Sequence, residues 1–265
     1  MKVVLFCGGM GLRLRELGDI VPKPMVPVGD RPILWHVMRY YAHFGHADFV
    51  LCLGYRAGAI KEYFLNHRQT LSRDFVLSHG LEMELVSSDI DQWNIRFIDT
   101  GVRASIGQRL GAVRRHLEND EMFLANYGDV LTDAPLNELV DDFRSRGKLA
   151  AFLSVRPTNY TFHVVRMKDD HLVDRLDNIA DADLRVNGGY FVFRREIFDY
   201  MQPGEDLVEA PFRRLAEAGQ LVAYRYDGFW APMDTLRDVS SLESMVASGN
   251  PPWAVWQDTE RLAGA

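Results

Sequence analysis

Val3-Val4-Leu5-Phe6-Cys7-Gly8-Gly9-Met10-Gly11-Leu12-Arg13-Leu14-Arg15 joins an unbroken apolar run to a glycine loop that carries two arginines. An apolar run with no polar alternation is the pattern of a strand buried on both faces, as in the interior of a parallel sheet. Glycines let backbone N–H groups approach a ligand closely, and successive N–H groups form a concave anion site. A strand followed by such a loop at the start of an α/β sheet is where phosphate-bearing ligands settle. Two familiar phosphate motifs fail on spacing. The dinucleotide pattern G-x-G-x-x-G needs a third glycine where Leu14 stands, and G-x-x-x-x-G-K-[ST] occurs nowhere in the chain. Basic residues still attend the loop: Arg13, Arg15, and Lys23 between Pro22 and Pro24. The flanking prolines predict a stiff, extended segment that aims one ammonium group.

Outward from this stretch, strand-like and helix-like segments alternate to the end of the chain, which predicts an α/β fold. Strands are expected at 48–53, 95–98, 122–125 and 149–155, and helices at 32–43, 59–66, 108–116, 136–144, 210–218 and 236–247. Three shorter strands, 162–166, 172–176 and 189–193, are expected to form an antiparallel extension. No flexible boundary appears. The 265 residues read as one unit, with a nucleotide-binding half at 1–155 and a substrate-facing half at 156–265.

Apolar residues make up 47% of the chain and charged residues 25%, an ordinary globular mixture. The formal net charge of −7 argues against nucleic acid as a partner, since neutralising a phosphate polymer needs a basic surface. That total hides an asymmetry. Residues 1–40 carry six Lys or Arg against three Asp or Glu, a net +3, which leaves −10 for the rest. The local excess suits one polyphosphate. Cys7 and Cys52 sit in apolar runs and read as buried thiols. No stretch reaches the length of a membrane span, and no leader is visible, so a cytoplasmic protein without a membrane partner is expected. The eight histidines show no metal-ligand spacing.

The glycine loop, the stretch Pro24-Met25-Val26-Pro27-Val28-Gly29-Asp30, and segments at 54–64, 91–101, 187–193, 228–238 and 251–256 together resemble the sugar-phosphate nucleotidylyltransferases, most closely their glucose-1-phosphate cytidylyltransferase branch. The resemblance covers nearly the whole chain, in order. It implies a Rossmann-like fold with a mixed, mostly parallel central sheet flanked by helices. It also implies Mg2+-dependent transfer of a nucleotidyl group from a nucleoside triphosphate to a sugar 1-phosphate, with pyrophosphate released. Cys7, Gly8, Gly9 and Gly11 would cradle the nucleotide, with Gly107 and Gln108 beside it. Arg13 and Lys23 would meet the phosphates. Arg13, Lys23 and Asp129 would be catalytic, and Asp129 with Asp234 would hold Mg2+. Asp99, Thr100, Tyr127, Arg175, Asn187, Gly188 and Gly189 would face the sugar phosphate.

Four departures from the family pattern bear on substrate choice. Leu12 replaces a hydroxyl residue. Gln108 stands in a loop that otherwise reads T-G-G-R-L, adding a donor and an acceptor on the base side. The 160–163 segment lacks the usual glycine. The stretch 174–181, where the family carries a sugar-phosphate lysine, contains none, and Arg175 is its candidate substitute. These changes leave open another nucleotide, another acceptor such as a cyclitol phosphate, or a nucleotide-sugar-binding relative without turnover. Trp253 and Trp256 close the chain with an aromatic tail that could pack on the chain itself or bury at a subunit contact of a homo-oligomer.

Overall fold

The computed structural model describes residues 1–9, 21–70, 75–78, 82–85, 89–157, 163–179 and 182–257. Gly11 and Arg13, with Leu12, lie outside the described residues, as does most of the 160–163 departure. The strands are β1 (Lys2–Phe6), β2 (Pro27–Val28), β3 (Arg31–Pro32), β4 (Asp48–Leu53), β5 (Phe75–Ser78), β6 (Glu82–Leu85), β7 (Asn94–Asp99), β8 (Met122–Asn126), β9 (Val130–Thr132), β10 (Ala150–Val155), β11 (His163–Met167), β12 (Val173–Asn178), β13 (Val186–Arg194), β14 (Leu221–Arg225) and β15 (Trp230–Pro232). The helices are α1 (Ile33–His43), α2 (Ala57–Thr70), α3 (Ile106–Val113), α4 (Leu136–Arg146), α5 (Ala210–Glu217) and α6 (Leu236–Ala247).

Seven strands form one sheet in the order β14-β10-β13-β8-β1-β4-β7. Pairing is parallel for β1 with β4 and β8, β4 with β7, and β10 with β14; β13 runs antiparallel to both its neighbours. Strands from both halves of the sequence thus share one sheet. The apolar run of β1 explains its central place. Val3 and Leu5 join Phe49 and Leu51 of β4 on one face, beneath α1, α2 and α4. Val4 and Phe6 join Val50 and Cys52 on the other, beneath α3 and α5. Each alternate residue feeds a different core, so neither face tolerates a polar side chain.

One sequence expectation is corrected, and one alternative is decided. The 189–193 strand does not belong to a peripheral extension. It is part of the nine-residue β13 in the middle of the sheet, where Tyr190, Phe191, Val192 and Phe193 are all buried. Its continuous apolar run, like that of β1, needs cover on both faces. Among the described residues the small antiparallel extension is β11 with β12. Of the two alternatives for the aromatic tail, packing on the chain itself is the one observed: Trp253 and Trp256 are buried in the core, against His36, Trp35 and Phe229.

The chain leaves β1 for β4 and β7 on one side, then returns to β8 on the other. That reversal opens a crevice at the carboxyl ends of β1 and β8, the place where open α/β sheets bind ligands.

Candidate active site

Past β1, the ladder continues through the Cys7 amide, which donates to Cys52 O at 3.0 Å. Burial pushes both thiols well above their ordinary range, Cys52 to about 12, so neither is a thiolate nucleophile. Gly8 then meets Arg109. Arg109 is 2% exposed, and its guanidinium donates to Gly8 O (3.0 Å), Leu53 O (3.2 Å), Val102 O (3.4 Å) and Thr100 Oγ1 (2.7 Å). It therefore ties together the ends of β1, β4 and β7. A Cβ at Gly8 would lie 1.9 Å from Arg109 Nη1, whereas nothing lies within 4 Å of a Cβ at Gly9. Gly8 makes room for the brace, and Gly9 opens onto the crevice. Sequence reading missed Arg109 as a structural element. The signal was there: it is three residues after Ile106 and four before Val113, on the buried stripe of α3.

The turn after β8 is equally constrained. Asn126 is fully buried, and its Oδ1 accepts from Gly128 N at 2.7 Å. Gly128 has φ +79°, the left-handed region that favours glycine. Tyr190 Oη donates to Val130 O at 2.7 Å, and the β9–β15 pair sets Pro232 opposite Val130. Met233 N then donates to Asp129 O at 3.0 Å, which brings Asp234 beside Asp129. Asp234 directly precedes Thr235, the N-cap of α6, whose capping box with Asp238 fixes the start of the helix.

Lys23 closes this cluster. Its Nζ lies 2.6 Å from Asp129 Oδ2 and 2.6 Å from Asp234 Oδ1. The expected extended segment is instead one 3-10 turn, Lys23–Met25. Proline's fixed φ suits the first turn of a helix as well as extended backbone. Burial works against the charge on Lys23, but the two carboxylates outweigh it and hold the lysine pKa above its ordinary value. Burial raises Asp129, with the ammonium opposing.

Two carboxylates converging on one cation form a hard-oxygen donor set. Among the described residues no group of three or more His, Cys, Asp or Glu is arranged to hold a metal. A pair suits Mg2+, which takes one or two protein carboxylates and completes its shell with water and phosphate. Lys23 Nζ stands where such a cation would neutralise the pair.

A cavity of about 500 Å3 opens over these groups. Its lining includes Gly9, Tyr127, Asp129, Asn187, Gly188 and Asp234 from the sequence-predicted set, together with Ser105, Asp206 and Trp230. On its β13 side, Asn187 Nδ2 donates to Tyr127 Oη (3.1 Å), Asn187 Oδ1 accepts from Gly189 N (2.9 Å), and Trp230 Nε1 donates to Gly188 O (2.8 Å). Gly189 has φ +77°, and a Cβ there would lie 2.6 Å from the Tyr127 ring.

Other predicted residues stand back from this cavity. Asp99 Oδ1 accepts from Gly101 N, and Thr100 belongs to the Arg109 brace. Gly107 packs on the 205–207 backbone, where a Cβ would lie 2.3 Å from Glu205 O. Gln108 spends its Oε1 on Ser105 N in the capping box of α3. Arg175 projects from the outer ribbon, bonded to Asp177 at 2.7 Å with its side chain 61% exposed.

The family model described as nucleotidyl transferase matches residues 2–259. The glucose-1-phosphate cytidylyltransferase of Salmonella typhimurium (strain LT2) is 35% identical over 260 residues, covering 97% of this chain and all of that protein. A Bacillus subtilis (strain 168) protein named a probable glucose-1-phosphate cytidylyltransferase is 32% identical over 258 residues, with the same coverage. A solved UDP-glucose pyrophosphorylase, complexed with UDP-glucose, superposes with a TM-score of 0.68 at 14% identity, covering 94% of this chain and 99% of that one, a likeness of fold alone. A sheet reversal that opens a crevice at Gly9, an aspartate pair closed on a lysine, and relatives matched end to end agree: the chain belongs to the nucleotidyl transferase family.

Proposed function

We propose that this chain transfers the cytidylyl group of CTP to glucose 1-phosphate, giving CDP-glucose and pyrophosphate. The observation that carries the reading is the convergence of Asp129 and Asp234 on Lys23 at the mouth of the β1–β8 crevice. The names of the end-to-end relatives support the choice of nucleotide and acceptor.

In this account the oxygen of the acceptor phosphate attacks the α-phosphorus in line with the pyrophosphate, the P–O bond to pyrophosphate breaks, and a nucleotide sugar forms. The work is positioning and charge neutralisation, with no side-chain nucleophile. Gly9 and Gly11 present backbone to the nucleotide, Gly8 seats the Arg109 brace, and Arg13 draws charge from the leaving group. Lys23 sits on a proline-stiffened turn, so its ammonium reaches the reacting phosphate without losing order. Asp129 and Asp234 would hold Mg2+, which when bound neutralises phosphate charge. Asn126, Tyr190 and the β9–β15 pair keep those carboxylates in place. Tyr127, Asn187, Gly188 and Gly189 line the sugar side.

A second reading, a different acceptor phosphate, is favoured by one observation. Arg175, the candidate for the missing family lysine, is paired with Asp177 outside the cavity lining. Pyrophosphate release measured over a panel of nucleoside triphosphates and sugar or cyclitol phosphates tests both. The first reading expects CTP with glucose 1-phosphate to have the highest kcat/KM. The second expects CTP with another acceptor.

A further inference from the structure

Asp206 belongs to no motif. It sits in a Gly-Glu-Asp turn between the 3-10 segment Arg195–Tyr200 and α5, yet it lines the same cavity as Tyr127 and Asn187. Its backbone is fixed on both sides. Ser105 Oγ donates to Glu205 O at 3.1 Å, Arg214 holds the Glu205 carboxylate, Gly107 abuts Glu205 O, and Leu207 is fully buried. Asp206 Oδ1 accepts from Val208 N at 3.3 Å, its hydrogen-bond partner among the described residues. The second carboxylate oxygen has no partner among the described residues. Across from it, Tyr127 Oη accepts from Asn187 and keeps its own proton to donate. Burial pushes that phenol up to about 12, and the charges of Asp206 and Asp129 add to the effect. Lys23, Asp129 and Asp234 are the groups assigned to phosphate in the nucleotidyl-transfer reading; Asp206, Tyr127 and Asn187, in the same lining as the two aspartates, offer hydrogen bonds to neutral groups.

We propose that Asp206 is a specificity-determining residue that accepts a hydrogen bond from a neutral donor group of the substrate lying against Tyr127. The inference rests on the nucleotidyl-transfer reading above. An ionised carboxylate only accepts, so it favours a sugar hydroxyl or an exocyclic amino group and repels a carbonyl or phosphate oxygen at the same point. A substrate without that donor leaves a desolvated charge unpaired, which is how polar sites reject close analogues.

The test is a ratio. kcat/KM is measured for wild type and Asp206→Ala with glucose 1-phosphate against its singly deoxygenated analogues, and with CTP against UTP. Wild type should discriminate by roughly ten- to hundredfold against one member of one panel. Asp206→Ala should reduce that ratio to within roughly threefold of unity and leave the other panel unchanged. The sugar panel responding identifies a hydroxyl as the donor, and the nucleotide panel responding identifies the amino group. Ratios that match wild type in both panels overturn the proposal. Equilibrium binding of the same panels reads the ground-state share of the discrimination without turnover. A wild type that releases no pyrophosphate but discriminates in binding refutes the parent reading while sustaining the role of Asp206. If Asp206→Ala fails to fold, Asp206→Asn keeps the Val208 turn but removes the charge, and the same collapse or persistence of the ratio decides.

Discussion

Gly8 and Gly9 are neighbours with opposite duties. At Gly8 a methyl group would meet a guanidinium that four acceptors hold in place, so the strain has no cheap outlet. Gly8→Ala should cost about 3 kcal/mol, an overpacking penalty, read as a lowered denaturant midpoint. Gly9→Ala meets open space and should change stability by less than about 1 kcal/mol, as surface substitutions do, while weakening nucleotide binding measured by calorimetry. Lys23 permits a similar separation. Its ammonium neutralises Asp129 and Asp234, so Lys23→Ala leaves two carboxylates facing each other. Mg2+ should raise the melting temperature of that variant by more than it raises the wild type's. Adding Asp129→Asn should erase the difference.

The C-terminal tail packs on a group whose protonation would disrupt it. Trp253 Nε1 donates to His36 Nδ1 at 3.2 Å, and His36 Nε2 lies 2.9 Å from Val28 O. The two contacts together require the neutral ring with its proton on Nε2, because a protonated Nδ1 would face an N–H donor. Burial lowers His36 to about 4, with Arg31 adding slightly and Val28 O and Asp30 opposing. The folded pKa lies below the unfolded value near 6.5, so the unfolded chain takes up the proton first. Stability is complete above about pH 6.5 and is lost as pH falls toward 4, by about 3 kcal/mol from this residue. A melting-temperature profile from pH 7 to 4.5 should show the decline, and His36→Gln should reduce its slope. His46, also lowered to about 4 by burial, accounts for part of what remains. Trp256→Ala should cost about 3–5 kcal/mol, as large aromatic truncations do.

At the scale of the whole molecule, the sheet reversal is what gathers distant residues. Much of it could be read in advance. Strands β1, β4, β8 and β10 are apolar on both faces, and that composition announces interior positions without any knowledge of neighbours. The place of β13 could not be read so, because a doubly buried run looks the same parallel or antiparallel. The meeting of Asp129 and Asp234 was legible only through family resemblance. It depends on β9 and β15, three residues each and about 100 positions apart, too short to carry a period. Arg109 was legible from helix phase, whereas Asp206 was not, since a Gly-Glu-Asp turn looks like any surface loop. Among the described residues no helix is long and apolar enough to cross a membrane. The central claim is that this crevice performs nucleotidyl transfer through Asp129. The most direct measurement is pyrophosphate release from CTP and glucose 1-phosphate with Mg2+, comparing wild type with Asp129→Asn. The account predicts turnover by wild type and a loss of roughly a hundredfold or more in kcat for the variant, on the scale of removing a group that stabilises developing charge, with CTP binding still measurable. A variant as active as wild type would contradict it.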